Sequence, residues 1–249
     1  MNDHFTDIYR IAGREIKICS LFPAVHEYCR EYRVPEEERQ ALPEGKDGFP
    51  TVHITPQDIA YENAADEKLQ HFSGAYLEGL AVCRKIAESM PAYNTFLFHA
   101  SAAAVDGKAY LFAAESGTGK STHARLWREL LGDRVVMVND DKPFVCIDRG
   151  QAMVCGSPWT GKHRLGSNIS VPIKAVCVLE RGETNRIRRI SAAEAYPVLI
   201  RQTYRPHDPR MMSKTLQLID RLAGMTEFYR LSCNMEPEAA RLSYETMKE

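Results

Sequence analysis

Residues 114–122, Ala-Glu-Ser-Gly-Thr-Gly-Lys-Ser-Thr, combine the side chains and the backbone freedom needed to hold a polyphosphate. In such a loop successive backbone N–H groups curl round the β-phosphate, which sits at a helix N-terminus where unpaired donors and the helix dipole both favour an anion. Gly117 and Gly119 supply positive φ and close backbone approach, Lys120 neutralises the β- and γ-phosphates, and the Ser121 hydroxyl takes one site on Mg2+. Ser116, Thr118 and Thr122 complete the candidate nucleotide-binding set. The spacing matches G-x-x-x-x-G-K-[ST] except that Ala114 stands in the first glycine position, which an alanine can fill only at negative φ.

A triphosphate site also needs a carboxylate for the metal and, in a kinase, a base for the acceptor's proton. Asp140 and Asp141 follow an apolar, β-branched run twenty residues after Lys120. Neighbouring residues at a strand end project differently, so one can face a metal and the other an acceptor hydroxyl; alternatively Asp140 caps the following turn. His99 is a further catalytic candidate, although a lone histidine among apolar residues equally suits the interior. In the turn-rich stretch Gly156–His163, Lys162 can meet the γ-phosphate or the acceptor, or the stretch is a plain surface loop. Arg181, Arg186, Arg188 and Arg189 suit either an acidic peptide or a charge-protected edge strand, the second being preferred, and Arg205–Arg210 is a candidate flap.

These residues need elements to carry them. Phe96–Phe98 and Ala109–Ala113 read as strands joined through a turn at Asp106-Gly107, and the second runs straight into the glycines. A helix over Ser121–Leu131 follows, stopped by Gly132. Val135–Val138 is a short buried strand ending at the aspartates, Phe144–Ile147 and Ala152–Cys155 form a hairpin round Asp148-Arg149-Gly150, and Val171–Leu179 is another strand. Beyond it the sequence is mainly helical, over Ala192–Ile200, Met211–Leu222 and Glu236–Met247. Upstream, Glu15–Cys19 and Thr51–Thr55 are extended, Pro35–Pro50 is an exposed loop with Glu36–Glu38 as a solvated face, and Ser73–Met90 is a helix stopped by Pro91.

With 249 residues the chain admits a kinase-sized domain and a small appendage: residues 1–90 as an N-terminal extension of strands plus a helix packed on the core, and 91–249 as the catalytic domain. The 32 Lys+Arg balance 33 Asp+Glu to a net charge of -1, which argues against nucleic-acid and membrane partners and requires any anion to be held locally. With neither a signal-like N-terminus nor an apolar run of about 18 residues, a cytoplasmic location is expected. Seven scattered cysteines, none spaced CxxC, suit reduced and mostly buried thiols.

Taken in order, His99, "AAESGTGKST", "VNDD" and "GSPWTGKH" resemble the kinase domain of HPr kinase/phosphorylase, within the phosphoenolpyruvate carboxykinase-like P-loop group. The resemblance covers roughly residues 90–180. It implies an α/β (α+β mixed) fold with a curved mixed β-sheet core and flanking helices, binding of ATP with Mg2+ (or Mn2+), and roles for His99, Lys120 and Ser121. It also implies that the acidic pair supplies base and metal ligand, with Asp140 leaning to base and Asp141 to metal. Hexamers are familiar in that family, so a homo-oligomer is admissible. The expected activity is transfer of the γ-phosphate to a Ser or Thr hydroxyl of a small protein or peptide. The alternatives are a small-molecule kinase or carboxykinase-type enzyme, and a nucleotide-binding sensor in a peptide-modification system.

Overall fold

The computed structural model describes residues 4–39, 50–65, 67 and 71–249, and the chain divides into two units, Met1–Ser89 and Met90–Glu249. In the first, strands β1 (Phe5–Ile11) and β2 (Arg14–Ser20) pair antiparallel, and β3 (Thr51–His53) lies parallel to β2. The two-residue β1–β2 turn, Ala12-Gly13, has positive φ at both positions, the twist-matched geometry of tight hairpins. Alternation buries Tyr9, Ile11, Ile16 and Ile18. Helices α1 (Ala24–Tyr28), α2 (Glu36–Arg39), α3 (Pro56–Ala65) and α4 (Gly74–Ser89) complete the unit. Buried His26 bridges the Tyr9 hydroxyl at 2.6 Å and the Ser20 hydroxyl at 2.8 Å. The acidic run Glu36–Glu38 forms the exposed α2, where Glu38 pairs with Arg10 at 2.7 Å. Most of the loop expected over Pro35–Pro50 lies outside the described residues.

The second unit is built on a mixed sheet of nine strands. In chain order its elements are β4 (Thr95–Leu97), β5 (Ser101–Val105), β6 (Lys108–Ala113), α5 (Lys120–Leu131), β7 (Val135–Asn139), β8 (Phe144–Asp148), β9 (Gln151–Cys155) and β10 (Ser170–Arg181), followed by β11 (Arg186–Ile190), α6 (Ala192–Gln202), α7 (Pro209–Met225), β12 (Glu227–Cys233) and α8 (Pro237–Met247). The 12-residue β10 curls the sheet by changing partners along its length. Ser170–Pro172 pair antiparallel with β9, whereas Ala175–Arg181 pair parallel with β12, and the register against β6 shifts between Ile173 and Ala175. Strands β6, β10 and β12 therefore run parallel, with β5 and β7 beyond β6 on one side and the edge strand β11 beyond β12 on the other.

Each face of this sheet buries its own core. Leu111, Val176, Val178 and Phe228 pack with Leu199 of α6 and Leu218, Ile219 and Leu222 of α7. On the other face Tyr110, Phe112, Cys177 and Leu231 pack with Trp127 of α5 and Tyr244 of α8. The fully buried Trp127 ring lies 5.1 Å from Phe112 and 5.4 Å from Tyr244, both edge-on. The central strands, buried on both faces, thus carry helices on both sides.

Two strands depart from the sequence expectation. Ser101–Val105, with three alanines, is a wholly buried strand between β6 and β7; alanine has low strand preference, and burial on both faces overrides it. The Asp106-Gly107 turn consequently joins β5 to β6, while Phe96 lies in β4, which pairs with β8. Glu227–Cys233 is β12, not an interval between helices, and it starts two residues after α7, whose last turn holds Gly224.

Candidate functional site

Strand β6 ends at Ala113 and α5 begins at Lys120, so the glycine-rich loop sits between a buried strand and a helix N-terminus. Gly117 and Gly119 have φ of 78° and 118°, while a Cβ at either would meet nothing within 4 Å. Backbone conformation, not space, therefore demands glycine there. Ala114 lies outside the left-handed region, which is why alanine serves in the first glycine position. The buried Lys120 ammonium donates to the Ala114 carbonyl at 2.9 Å, folded over its own loop. Burial lowers its pKa, and the charge of Asp141 opposes that shift. Arg181, at the end of β10, donates to the Gly117 carbonyl at 2.5 Å, and Arg201 of α6 pairs with Glu115, so cations from two elements tether the loop.

The aspartates follow β7, whose last residue organises them. Asn139 is completely buried; its Oδ1 accepts from the backbone N–H groups of Asp141 at 2.8 Å and Lys142 at 2.7 Å, and its Nδ2 donates to the Ser157 carbonyl at 3.0 Å. From β5, the Ser101 hydroxyl donates to the Asp140 carbonyl, and the Ala100 N–H donates to the Asp141 carbonyl. Asn139 was not singled out from the sequence; its only signal there is an amide side chain ending an apolar strand at a turn.

The two carboxylates occupy opposite electrostatic environments. Asp140 is 4% exposed and its Oδ1 accepts from the Gly161 N–H at 2.6 Å. A Cβ on Gly161 would stand 3.1 Å from Asp140 Oδ2, so glycine permits this approach. Burial raises the Asp140 pKa against the opposing Gly161 hydrogen bond. For Asp141 burial also pushes upward, but His99 Nε2 at 3.1 Å and Lys142 Nζ at 2.7 Å outweigh it and hold the carboxyl at about 2. Asp141 is therefore a fixed negative charge, and Asp140 is the carboxylate displaced toward proton acceptance.

One cleft of about 650 Å3 collects these groups. The loop contributes Ser116, Gly117, Gly119, Lys120, Ser121 and Thr122; facing segments contribute His99, Asp140, Asp141 and Lys162. Thr118 borders the loop's other side. His99 reaches the cleft from the link between β4 and β5, with its N–H donating to the Gln202 carbonyl, and not from a strand paired beside β6. Lys162 is exposed on the rim, joined by His163 and by Arg125 and Arg128 of α5, whose contribution the sequence reading missed. Arg186, Arg188 and Arg189 lie on the edge strand β11, where Arg188 pairs with Glu194 at 2.7 Å. Residues 205–210 do not line the cleft; Asp208 caps α7 instead.

For Mg2+, the Ser121 hydroxyl and the Asp141 carboxylate are hard oxygen donors of the right kind. No group of three His, Cys, Asp or Glu side chains among the described residues could hold a metal alone. All seven cysteines are free, and no helix among the described residues is long and apolar enough to cross a membrane.

Fold and site define a mixed α/β protein in which a glycine-rich strand–loop–helix motif shares one cleft with an acidic pair. A family model described as SynChlorMet cassette protein ScmC matches residues 73–205, more than half of the chain, and the chain belongs to that family. No curated protein matches. Among solved structures, the HPr(Ser) kinase/phosphatase from Coxiella burnetii is similar at 11% identity and a TM-score of 0.35, over 61% of this chain and 99% of that one.

Proposed function

We propose that this chain is an ATP- and Mg2+-dependent phosphotransferase that moves the γ-phosphoryl group to a Ser or Thr hydroxyl of a small protein or peptide. The reading rests on one observation: Lys120, Ser121 and two carboxylates with opposite pKa shifts converge on a single cleft. In the reaction the acceptor oxygen bonds to the γ-phosphorus, the bond to the β,γ-bridging oxygen breaks, and ADP leaves. Asp140 accepts the hydroxyl proton. Lys120, drawn from the Ala114 carbonyl to the phosphates, and the loop N–H groups stabilise the charge on the transferring group. Bound Mg2+, held by Ser121 and Asp141, would neutralise charge on the β- and γ-oxygens. His99 and Lys142 keep Asp141 ionised and aimed.

The basic rim of Arg125, Arg128, Lys162 and His163 also suits an acidic small molecule as acceptor. Incubating the protein with γ-labelled Mg-ATP and size-fractionated extract of its host separates the readings. Label in a protein or peptide fraction, lost in Lys120→Ala and in Asp140→Asn, is the expected result. Label confined to small molecules would replace the acceptor, and ATP binding without any transfer would make the chain a nucleotide sensor. Retained transfer in Asp140→Asn would remove Asp140 as base.

A further inference from the structure

A second pocket, of about 620 Å3, opens on the β10–β12 side of the glycine loop, across β6 from the strand that carries the aspartates. Its walls are largely apolar: Leu126 of α5, Leu179 of β10, and Cys233 and Met235 after β12. Gly117, Gly119 and Thr122 border both this pocket and the acidic cleft, so a single ligand can lie across the loop with one end in each. The parallel strands β6, β10 and β12 all reach this edge with their carboxyl ends, the crevice where open α/β sheets bind ligands.

An unpaired polar group also borders the pocket. His123 is 2% exposed and its Nε2 lies 2.9 Å from the Ser243 hydroxyl. That hydroxyl donates to the Ala240 carbonyl and accepts from Trp127 Nε1, so its single proton is committed and His123 Nε2 must be the donor. Nδ1 is then a lone-pair acceptor, buried and without a hydrogen-bond partner. A buried acceptor of this kind calls for a ligand N–H or O–H.

We propose that this pocket receives the nucleoside of the nucleotide whose phosphates the loop holds, with the base against Leu126, Leu179 and Met235 and His123 Nδ1 accepting a hydrogen bond from it. The proposal rests on the phosphate-binding reading of the loop. An apolar slot beside a polar one separates the two chemistries of a nucleotide, and neither half alone would need both.

The test is calorimetric titration of the full chain with Mg-ATP and with Mg-tripolyphosphate, together with photo-crosslinking by 8-azido-ATP and peptide mapping. Met235 is 74% exposed, so Met235→Ser leaves the core untouched. The expected results are tighter binding of ATP than of tripolyphosphate, a roughly fivefold loss for ATP alone in Met235→Ser, and crosslinks within 179–183 and 233–235. Crosslinks at 160–165 or on Arg125 and Arg128, or equal affinity for the two ligands, would overturn the pocket assignment and leave the loop as a phosphate site. Failure of both ligands to bind would overturn the phosphate reading itself.

Discussion

Asn139 touches no reacting group in the proposed chemistry, yet its amide ties the Asp141–Lys142 turn to Ser157 in the segment that presents Gly161 to Asp140. Asn139→Ala leaves two backbone donors and a carbonyl without their partner in a buried setting, at about 1–3 kcal/mol each where water cannot replace it. The expected outcome is a stability loss of about 2–4 kcal/mol in denaturant titration. In the proposed reaction phosphoryl transfer should fall at least about tenfold while ATP affinity stays within about twofold. Equal losses in transfer and in ATP binding would contradict this positioning role. At the same scale, the loop residues and Asp140-Asp141 are legible in the sequence because their chemistry demands specific residue types at short spacing. Asn139 is not, because an asparagine at a turn is common and its partners at Ser157 lie eighteen residues away.

Helix α5 begins at the glycine loop, and α8 packs on it through Tyr244 and ties to it through the Ser243 hydroxyl. Ser243 accepts from Trp127 across 116 residues of sequence and meets His123 on the same side. Ser243→Ala leaves two buried N–H donors unpaired and is expected to cost about 2–4 kcal/mol, a fall of roughly 5–10 °C in Tm by calorimetry for a chain of this size. Thr246→Ala on the same helix loses only a local bond to the Leu242 carbonyl and should stay within about 1 kcal/mol. Similar losses in both would show that helix propensity, not the α5–α8 contact, sets the effect. Helices α4 to α8 were readable from their apolar spacing and from stop signals such as Gly132, whereas α1, α2 and α3 carry no such signal. Strands β5 and β12 were not readable, since an alanine run and a strand entered two residues after a helix acquire their state from the neighbours that bury them.

Over the whole molecule, His123 and Asp141 illustrate two distinct pH windows of stability. Burial pushes the His123 imidazole from its ordinary 6.5 down to about 4 in the fold, so the unfolded chain binds its proton first. The contribution is complete above pH 6.5 and is lost as pH falls toward 4, amounting to roughly 3 kcal/mol. Asp141, at about 2 against 3.8, adds stability that is present above pH 3.8 and is lost as pH falls through 2. Urea midpoints should therefore drop steadily between pH 6.5 and 4 in the wild type, and His123→Gln should flatten that slope without altering the lower window. An unchanged slope in the variant would assign the effect to other groups. The sequence by itself determined the glycine-rich motif, the acidic pair and the helices flanking a sheet, because each depends on residue types and short periods along one segment. The tertiary structure alone decided that β10 exchanges β9 for β12, that His99 and Lys142 hold Asp141 while Gly161 meets Asp140, and that an apolar pocket adjoins the loop. Those outcomes depend on contacts between segments far apart in the chain, where no local period carries the information.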